Sequence, residues 1–571
     1  MIKNTIKILK ILDPDQRKKF KFLIFLMFVT MILETGSIAS LLPLINYFSD
    51  GNLITNIKIF KTLGIEISNN ANLIMFFVMI VFIFKNIFLA FYYYMDSKFI
   101  YDVKYALGFT LFKKYLANNY QFHIQNNSSK LKEKITGSTS TYMGALSGLS
   151  TLICESLIMI GLLTILFLIK PQETIIIILT GLFLSLLFYY TLRTKIYWLG
   201  KRKILADREY IKSMTQGFEA IKDMMIFKSE KEFTKVFEDN CQNVAKIDLT
   251  ANFLSKLPRI WFEITLLIIL MTLFLLVSIN NNNQGVLIST VGIFLAVALR
   301  LLPSAYKLIQ AIQRMKLGEA AVASLEIDLN TKDFELDKLA GNREINKINF
   351  NKKLEFKDVA FTYSNSAKNI LNNINFSIKK NNFVAIVGET GSGKSTFIDL
   401  IIGLIKPTKG IIEADGISIS KNTDSWMSNI GYVPQNIYLT DDTIEKNILF
   451  GCEENDIDAK RFESSIKNAQ LKSFVASLDK GLKTIVGERA VQISGGERQR
   501  IGIARALYRN PDLLLFDEST GALDLETENS FFKTLKELKK TKTIIFVTHR
   551  TNKLESFDEV FLIEKQTIKK I

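Results

Sequence analysis

The stretch Phe383–Leu404, FVAIVGETGSGKSTFIDLIIGL, decides the fold of the C-terminal part of this 571-residue chain. It opens with an apolar run, Phe383 to Val387, that reads as a buried strand, and it closes in an apolar helix. Between them Gly388–Ser395 fits the spacing G-x-x-x-x-G-K-[ST] of a phosphate-binding loop. Chemistry dictates this order. Glycines let backbone N–H groups wrap phosphates with no Cβ in the way. The helix start adds a favourable dipole. Lys394 is placed to reach the β and γ phosphates of ATP, and the Ser395 hydroxyl to ligate Mg2+. The nucleotide-binding candidates are Gly388, Glu389, Thr390, Gly391, Ser392, Gly393, Lys394, Ser395 and the adjoining Thr396.

Two downstream segments extend the reading. In DLLLFDES, four apolar residues carry the chain to Asp517, a candidate magnesium ligand, and to Glu518, placed to activate an attacking water. In QISGGERQRIGIARAL, two glycines open a second helix, so a second anion-binding helix start lies between the loop and the acids. One chain cannot easily bring both glycine-rich starts to one nucleotide. A site shared between two copies is expected.

With these motifs in order, residues 354–571 resemble an ATP-binding cassette domain, and the whole chain resembles an ABC exporter half-transporter of the type I fold. The resemblance implies further roles. Tyr363 in FTYS would stack on adenine. Gln435 in YVPQN would touch magnesium and sense the membrane domain. Ser494, Gly495 and Gly496 would complete the partner's ATP site. Asp524 would end the D-loop. His549 in IIFVTHR, one of two histidines in the chain, would contact the γ-phosphate and hold the catalytic geometry with Glu518. Glu518, His549 and Lys394 are the catalytic candidates, and Ser395, Gln435 and Asp517 the metal ligands. Ile493, Glu497 and Gly521 stand where Leu, Gln and Ser are usual.

The N-terminal part is of another kind. The chain is 48% hydrophobic with 43 Phe, and mean hydropathy is +0.18, too apolar for an ordinary soluble protein. Six apolar segments are each about long enough to cross a bilayer: roughly 22–47, 73–95, 142–169, 174–192, 260–279 and 286–312. Between them, 96–141 and 193–259 read as helical, with short crossing elements near 121–128 and 216–228. A small external helix is expected between 48 and 72. Residues from Asn330 to Lys353 read as a charged linker. The expected architecture is an all-α six-helix transmembrane domain (1–327), a linker (328–353) and an α/β P-loop cassette domain (354–571).

Net charge of +16 could signal nucleic acid, but its location argues for the positive-inside rule. Lys3, Lys7, Lys10, Arg17, Lys18, Lys19 and Lys21 precede the first span, and Arg193, Lys195, Lys201, Arg202 and Lys203 follow the fourth. A multi-pass protein of the bacterial cytoplasmic membrane is expected, with both termini and the cassette in the cytosol and no nucleic-acid partner. Cys154, Cys241 and Cys452 show no paired spacing and read as free thiols.

The cassette names a motor, not a cargo. Glu34, Lys85, Glu155, Glu263 and Arg300 lie in spans, with Arg259 at the start of the fifth. Such residues are costly in a membrane. Two readings stand: ion pairs such as Glu263 with Arg300 lock the bundle, or Lys85, Arg259 and Arg300 line a lumen suited to a phosphate-bearing substrate. Three span segments, LETGSIASLLPLINYFSD, LPRIWFE and ALRLLPSAYKL, resemble the lipid-linked oligosaccharide flippases of bacterial protein N-glycosylation. That resemblance implies a homodimer that meets membrane lipid and moves an anionic glycolipid. Export of a peptide, a drug or a simple lipid is the alternative, and it shares every cassette motif.

Overall fold

The computed structural model describes residues 2–43, 71–280, 284–330, 347–363, 368–487, 493–518, 525–549 and 554–571. The expected external helix between 48 and 72, most of the linker, Gly521 and Asp524 lie outside the described residues. The chain divides into two compact units. One holds Met1–Asn118 and Gln125–Leu339; the other holds Asn119–Ile124 and Ala340–Ile571.

The first unit is helical. Its described helices are α1 (Ile2–Ile11), α2 (Pro14–Ala39), α3 (Ala71–Leu116), α4 (Ser128–Glu133), α5 (Thr139–Ile169), α6 (Pro171–Glu219), α7 (Ile221–Phe227), α8 (Glu230–Asn280), α9 (Gln284–Leu317) and α10 (Glu319–Asn330). Within the described residues, the six apolar segments fall on α2, α3, α5, α6, α8 and α9, the end of the first, 44–47, lying outside them. Among the described residues, four helical stretches are long and apolar enough to cross a membrane: Pro14–Ala39, Asn72–Leu116, Ser128–Ile169 and Gly292–Leu317.

Local chemistry sets the helix ends. Asp13 caps α2, the Asp13 N–H donates back to Gln16 Oε1 at 3.1 Å, and Pro14 takes the first helical position, where its missing N–H costs nothing. At 46, 49 and 51 residues, α3, α6 and α8 outrun the roughly 20 that a bilayer needs. Their charged ends continue past the apolar segments. The short helix Ile221–Phe227 occupies one expected crossing element, and Tyr120–Gln125 the other. Large apolar side chains of α3 such as Phe76, Phe84 and Ile87 are exposed, as on a lipid-facing helix. Cys154 is buried, Cys241 exposed and Cys452 between the two, all as free thiols.

The second unit is α/β. Strands β1 (Lys353–Phe361), β2 (Leu371–Lys379), β4 (Lys409–Ala414) and β5 (Ile417–Ser418) form an antiparallel sheet in the order β2-β1-β4-β5. Strands β3 (Phe383–Val387), β6 (Ile430–Val433), β7 (Leu513–Asp517), β8 (Thr543–Val547), β9 (Glu559–Glu564) and β10 (Thr567–Lys570) form a second sheet, ordered β10-β9-β3-β8-β7-β6. All its pairings are parallel except β9 with β10. Every residue of β3 and β8 is buried, as a parallel strand covered on both faces requires. The helix α11 (Lys394–Ile402) inserts Phe397 between Phe356 and Phe376, with ring centroids 5.0 and 5.1 Å away. Packing the phosphate-loop helix onto the antiparallel sheet in this way fixes the loop before it.

Candidate functional site

The candidate site lies along the C-terminal ends of the parallel strands, where open α/β sheets present their ligand crevices. β3 delivers the glycine loop. Gly391 and Gly393 take φ of +83° and +101°, values that L side chains rarely adopt. At Gly388 a Cβ would stand 2.6 Å from the Ile563 carbonyl oxygen and 2.8 Å from Ser392 Oγ, so the strand end tolerates no side chain. Lys394 is only 7% exposed. Its ammonium donates to the Gly388 and Glu389 carbonyls at 2.7 and 2.8 Å. Burial lowers its pKa, partly offset by Glu518 and Asp517. Ser395 stands exposed at the start of α11, and Thr396 is buried behind it.

β7 ends in Asp517, whose pKa burial raises, with adjacent Glu518 adding to the effect. The Tyr432 hydroxyl donates to Asp517 Oδ2 at 3.5 Å. Glu518 turns out of the strand with φ +49°, an uncommon conformation for a residue with a side chain. Its N–H donates to the Val547 carbonyl at 3.0 Å, which ties the turn to β8. Both carboxylate oxygens are occupied. His549 Nε2, just past β8, lies 2.6 Å from Oε1, and Gln435 Nε2, just past β6, donates to Oε2 at 2.8 Å. Three motifs far apart in sequence therefore meet at one carboxylate. Strain at such a site is held by surrounding structure, as these three contacts do here.

The oxygen donors of Asp517, Ser395 and Gln435 are hard ligands of the kind Mg2+ prefers, and the glycine cradle already admits a cationic Lys394 head. The residues present fit Mg2+ and a polyphosphate. Tyr363 packs edge-on to Phe361 at 4.9 Å, with its hydroxyl 3.3 Å from Thr396 Oγ1, so the aromatic ring sits beside the phosphate-loop helix. Ser494 caps α12 (Gly495–Tyr508): its hydroxyl accepts from the Glu497 N–H at 3.3 Å, and its own N–H donates to Glu497 Oε2 at 2.6 Å. The departure at position 497 thus has a local use, since either Glu or Gln can close a capping box. His123, the other histidine, makes an edge contact with Phe122 in the short helix Tyr120–Gln125.

The membrane charges correct one expectation. Glu263 does not meet Arg300. It takes Arg259 Nε at 3.0 Å on the same helix, and both side chains are mostly exposed. Arg259 therefore stands apart from the other expected lumen cations. Lys85 and Arg300 converge instead on Glu34, at 3.4 and 3.2 Å, and Arg300 also reaches Glu155 at 3.5 Å. Lys307, a further cation of the sixth span, joins Glu155 at 2.8 Å, and the Ser304 hydroxyl donates to Glu155 at 2.7 Å. Three partly buried cations thus gather around two buried acids, drawn from α2, α3, α5 and α9. The signal for Lys307 was available: it stands seven residues after Arg300, on the same helical face.

Known proteins place this geometry. The ABC transporter family profile matches residues 371–521. The ATP-dependent lipid A-core flippase of Pasteurella multocida (strain Pm70) is 29% identical over 465 residues, covering 80% of this chain and 78% of that one. The flippase of the same description from Haemophilus influenzae (strain 86-028NP) is 30% identical over 470 residues, with 80% and 78% covered. A solved bacterial Atm1-family ABC exporter with ATP bound shares the fold at TM-score 0.75 and 20% identity, covering 97% of this chain and 95% of that one. The chain therefore belongs to the ATP-binding cassette transporters, as an exporter half-transporter that spans a membrane several times and couples ATP hydrolysis to transport.

Proposed function

We propose that this half-transporter works as a homodimer in the bacterial cytoplasmic membrane, with termini and cassette in the cytosol, and moves an anionic glycolipid across it. The charged group around buried Glu34 and Glu155 carries the substrate reading. Its three cations exceed its two acids by one, inside spans where unneeded charge is costly. A phosphate-bearing head would complete it. The two relatives above carry the name lipid A-core flippase, which agrees with a glycolipid cargo. A polyprenyl-diphosphate oligosaccharide is the finer form of the same reading.

In the motor, Tyr363 would stack on adenine and the Gly388–Thr396 loop would hold the phosphates. Ser395, Asp517 and Gln435 would hold magnesium, which when bound neutralises charge on the β and γ phosphates. Lys394 would leave its two carbonyl partners for the phosphates. Glu518 would take a proton from the attacking water, after that water displaces one of the two donors now on its carboxylate. His549 would keep the other oxygen in place. Ser494–Gly496 of a second copy would close the site.

The test is a stimulation panel on the reconstituted full-length protein. ATP turnover should rise with a phosphorylated glycolipid and not with a peptide or a simple phospholipid. Stimulation by peptide alone would replace this reading with peptide export.

A further inference from the structure

Arg300, Lys307 and Arg314 are spaced seven residues apart on α9. Seven residues of helix drift by only about 20°, so the three share one face, and they span about 21 Å at 1.5 Å per residue. The first two are committed to Glu34 and Glu155. Arg314 forms no side-chain hydrogen bond or ion pair among the described residues.

Arg314 also lines three separate cavities. One of about 320 Å³ reaches Lys307, Glu155, Tyr93 and Asp96. One of about 440 Å³ reaches Glu133, Lys203, Asp207 and Asp248. One of about 150 Å³ reaches Ser255 and Gln310. Several of the acids on these walls are already engaged. Asp96 accepts from Ser150, Glu133 from Ser138 at 3.0 Å, and Asp248 pairs with Lys203. The backbone beneath Arg314 is held firmly. A Cβ on Gly148 of α5 would stand 2.7 Å from the Ala311 carbonyl and 3.2 Å from the Arg314 Cβ, so the two helices touch at this level.

We propose that Arg314 is the first binding residue for the phosphate-bearing head of the transported amphiphile, at the cytosolic end of a cationic track that continues to Lys307 and Arg300. An anion arriving at Arg300 or Lys307 must displace a carboxylate, whereas at Arg314 it displaces only water. A guanidinium fork on a fixed backbone suits bidentate capture of a phosphate. The proposal rests on the glycolipid-export reading.

The experiment uses the full-length protein in liposomes with three probes: a bisphosphorylated glycolipid, its dephosphorylated counterpart, and a soluble sugar diphosphate without a lipid chain. The reading is the concentration for half-maximal stimulation of ATP turnover, set against the stimulated plateau. Arg314→Ala should raise that concentration roughly tenfold or more for the phosphorylated glycolipid, with the plateau kept. Arg314→Gln, which retains the stem, should do the same and so exclude a folding defect, and Arg314→Lys should recover part of the loss. The dephosphorylated glycolipid should show no difference between variants. An equal shift with the soluble diphosphate assigns the residue to phosphate from either source; a shift confined to the lipid assigns it to membrane headgroups. If wild type responds and Arg314→Ala responds within about twofold of it, this proposal fails and the export reading stands. If wild type responds to no phosphorylated probe, both fall.

Discussion

Replacing His549 with alanine separates chemistry from folding. The imidazole lies 2.6 Å from Glu518 Oε1, yet it is 48% exposed. A pair this open to water contributes about 0–1 kcal/mol to stability. For a domain of this size that corresponds to a melting shift of less than about 4 °C. Glu518 keeps its other anchors, the Gln435 amide and the Val547 carbonyl, so its turn should persist. Turnover should suffer far more. Losing a preorganised donor beside a developing charge costs about a hundredfold to a thousandfold in rate. Phosphate release under saturating Mg-ATP, with thermal unfolding followed in parallel, measures both. Combining His549→Ala with Glu518→Gln should cost little beyond the slower single change, because the two act as a unit. Turnover within about threefold of wild type would refute the reasoning, since it leaves only about 0.7 kcal/mol for the contact. So would a melting loss large enough to account for the inactivity.

Three further outcomes follow from the same geometry. Asp399 has its pKa pushed up to about 6, by burial first and by Asp517 second, against an ordinary 3.8. Its folded form therefore keeps a proton that the unfolded chain has lost, and the associated stability is present at acid pH and lost as pH rises from 3.8 to about 6. In nucleotide-free protein, Asp399→Asn should gain melting temperature relative to wild type across that window and hold the gain above it; a pH-independent difference contradicts the assignment. Glu155→Ala leaves Arg300 and Lys307 short of an acceptor in a buried group and should cost about 3–5 kcal/mol, while Glu263→Ala, at an exposed pair, should cost less than about 1 kcal/mol. Equal losses in unfolding of the reconstituted protein would overturn that ranking. Gly388→Ala should cost about 1–3 kcal/mol and abolish nucleotide binding, because the new Cβ meets a strand carbonyl that cannot move aside; wild-type affinity for a fluorescent ATP analogue would contradict it.

The cassette was legible from sequence because phosphate chemistry constrains local spacing. Gly388, Lys394 and Ser395 must lie within one loop, so their pattern survives without a fold. Glu518, Gln435 and His549 are different. Each stands at a strand end, and only the parallel order β3-β8-β7-β6 brings them together. Without the family resemblance, Gln435 and His549 would have read as polar residues after apolar strands. The membrane charges were least legible. Which acid meets which cation depends on the faces that α2, α3, α5 and α9 turn to one another, and apolar segments do not encode this. Even the Arg259–Glu263 pair, whose spacing of four on one helix favours it, was not foreseen: Glu263 was expected to meet Arg300 and Arg259 to line the lumen. Lys307 lies within the sixth apolar segment, and its seven-residue spacing from Arg300 is the signal that marks it; Arg314 lies beyond that segment, where a cation looks like ordinary flanking charge.

ATP-driven movement of an anionic glycolipid is what this chain is proposed to perform. The most direct measurement is translocation in proteoliposomes, following a phosphorylated glycolipid from one leaflet to the other with and without Mg-ATP, in wild type and in Glu518→Gln. ATP-dependent movement is expected in wild type, and none above the protein-free rate in Glu518→Gln. Movement of equal rate in both proteins, or none in a wild type that hydrolyses ATP and moves a peptide instead, would contradict it.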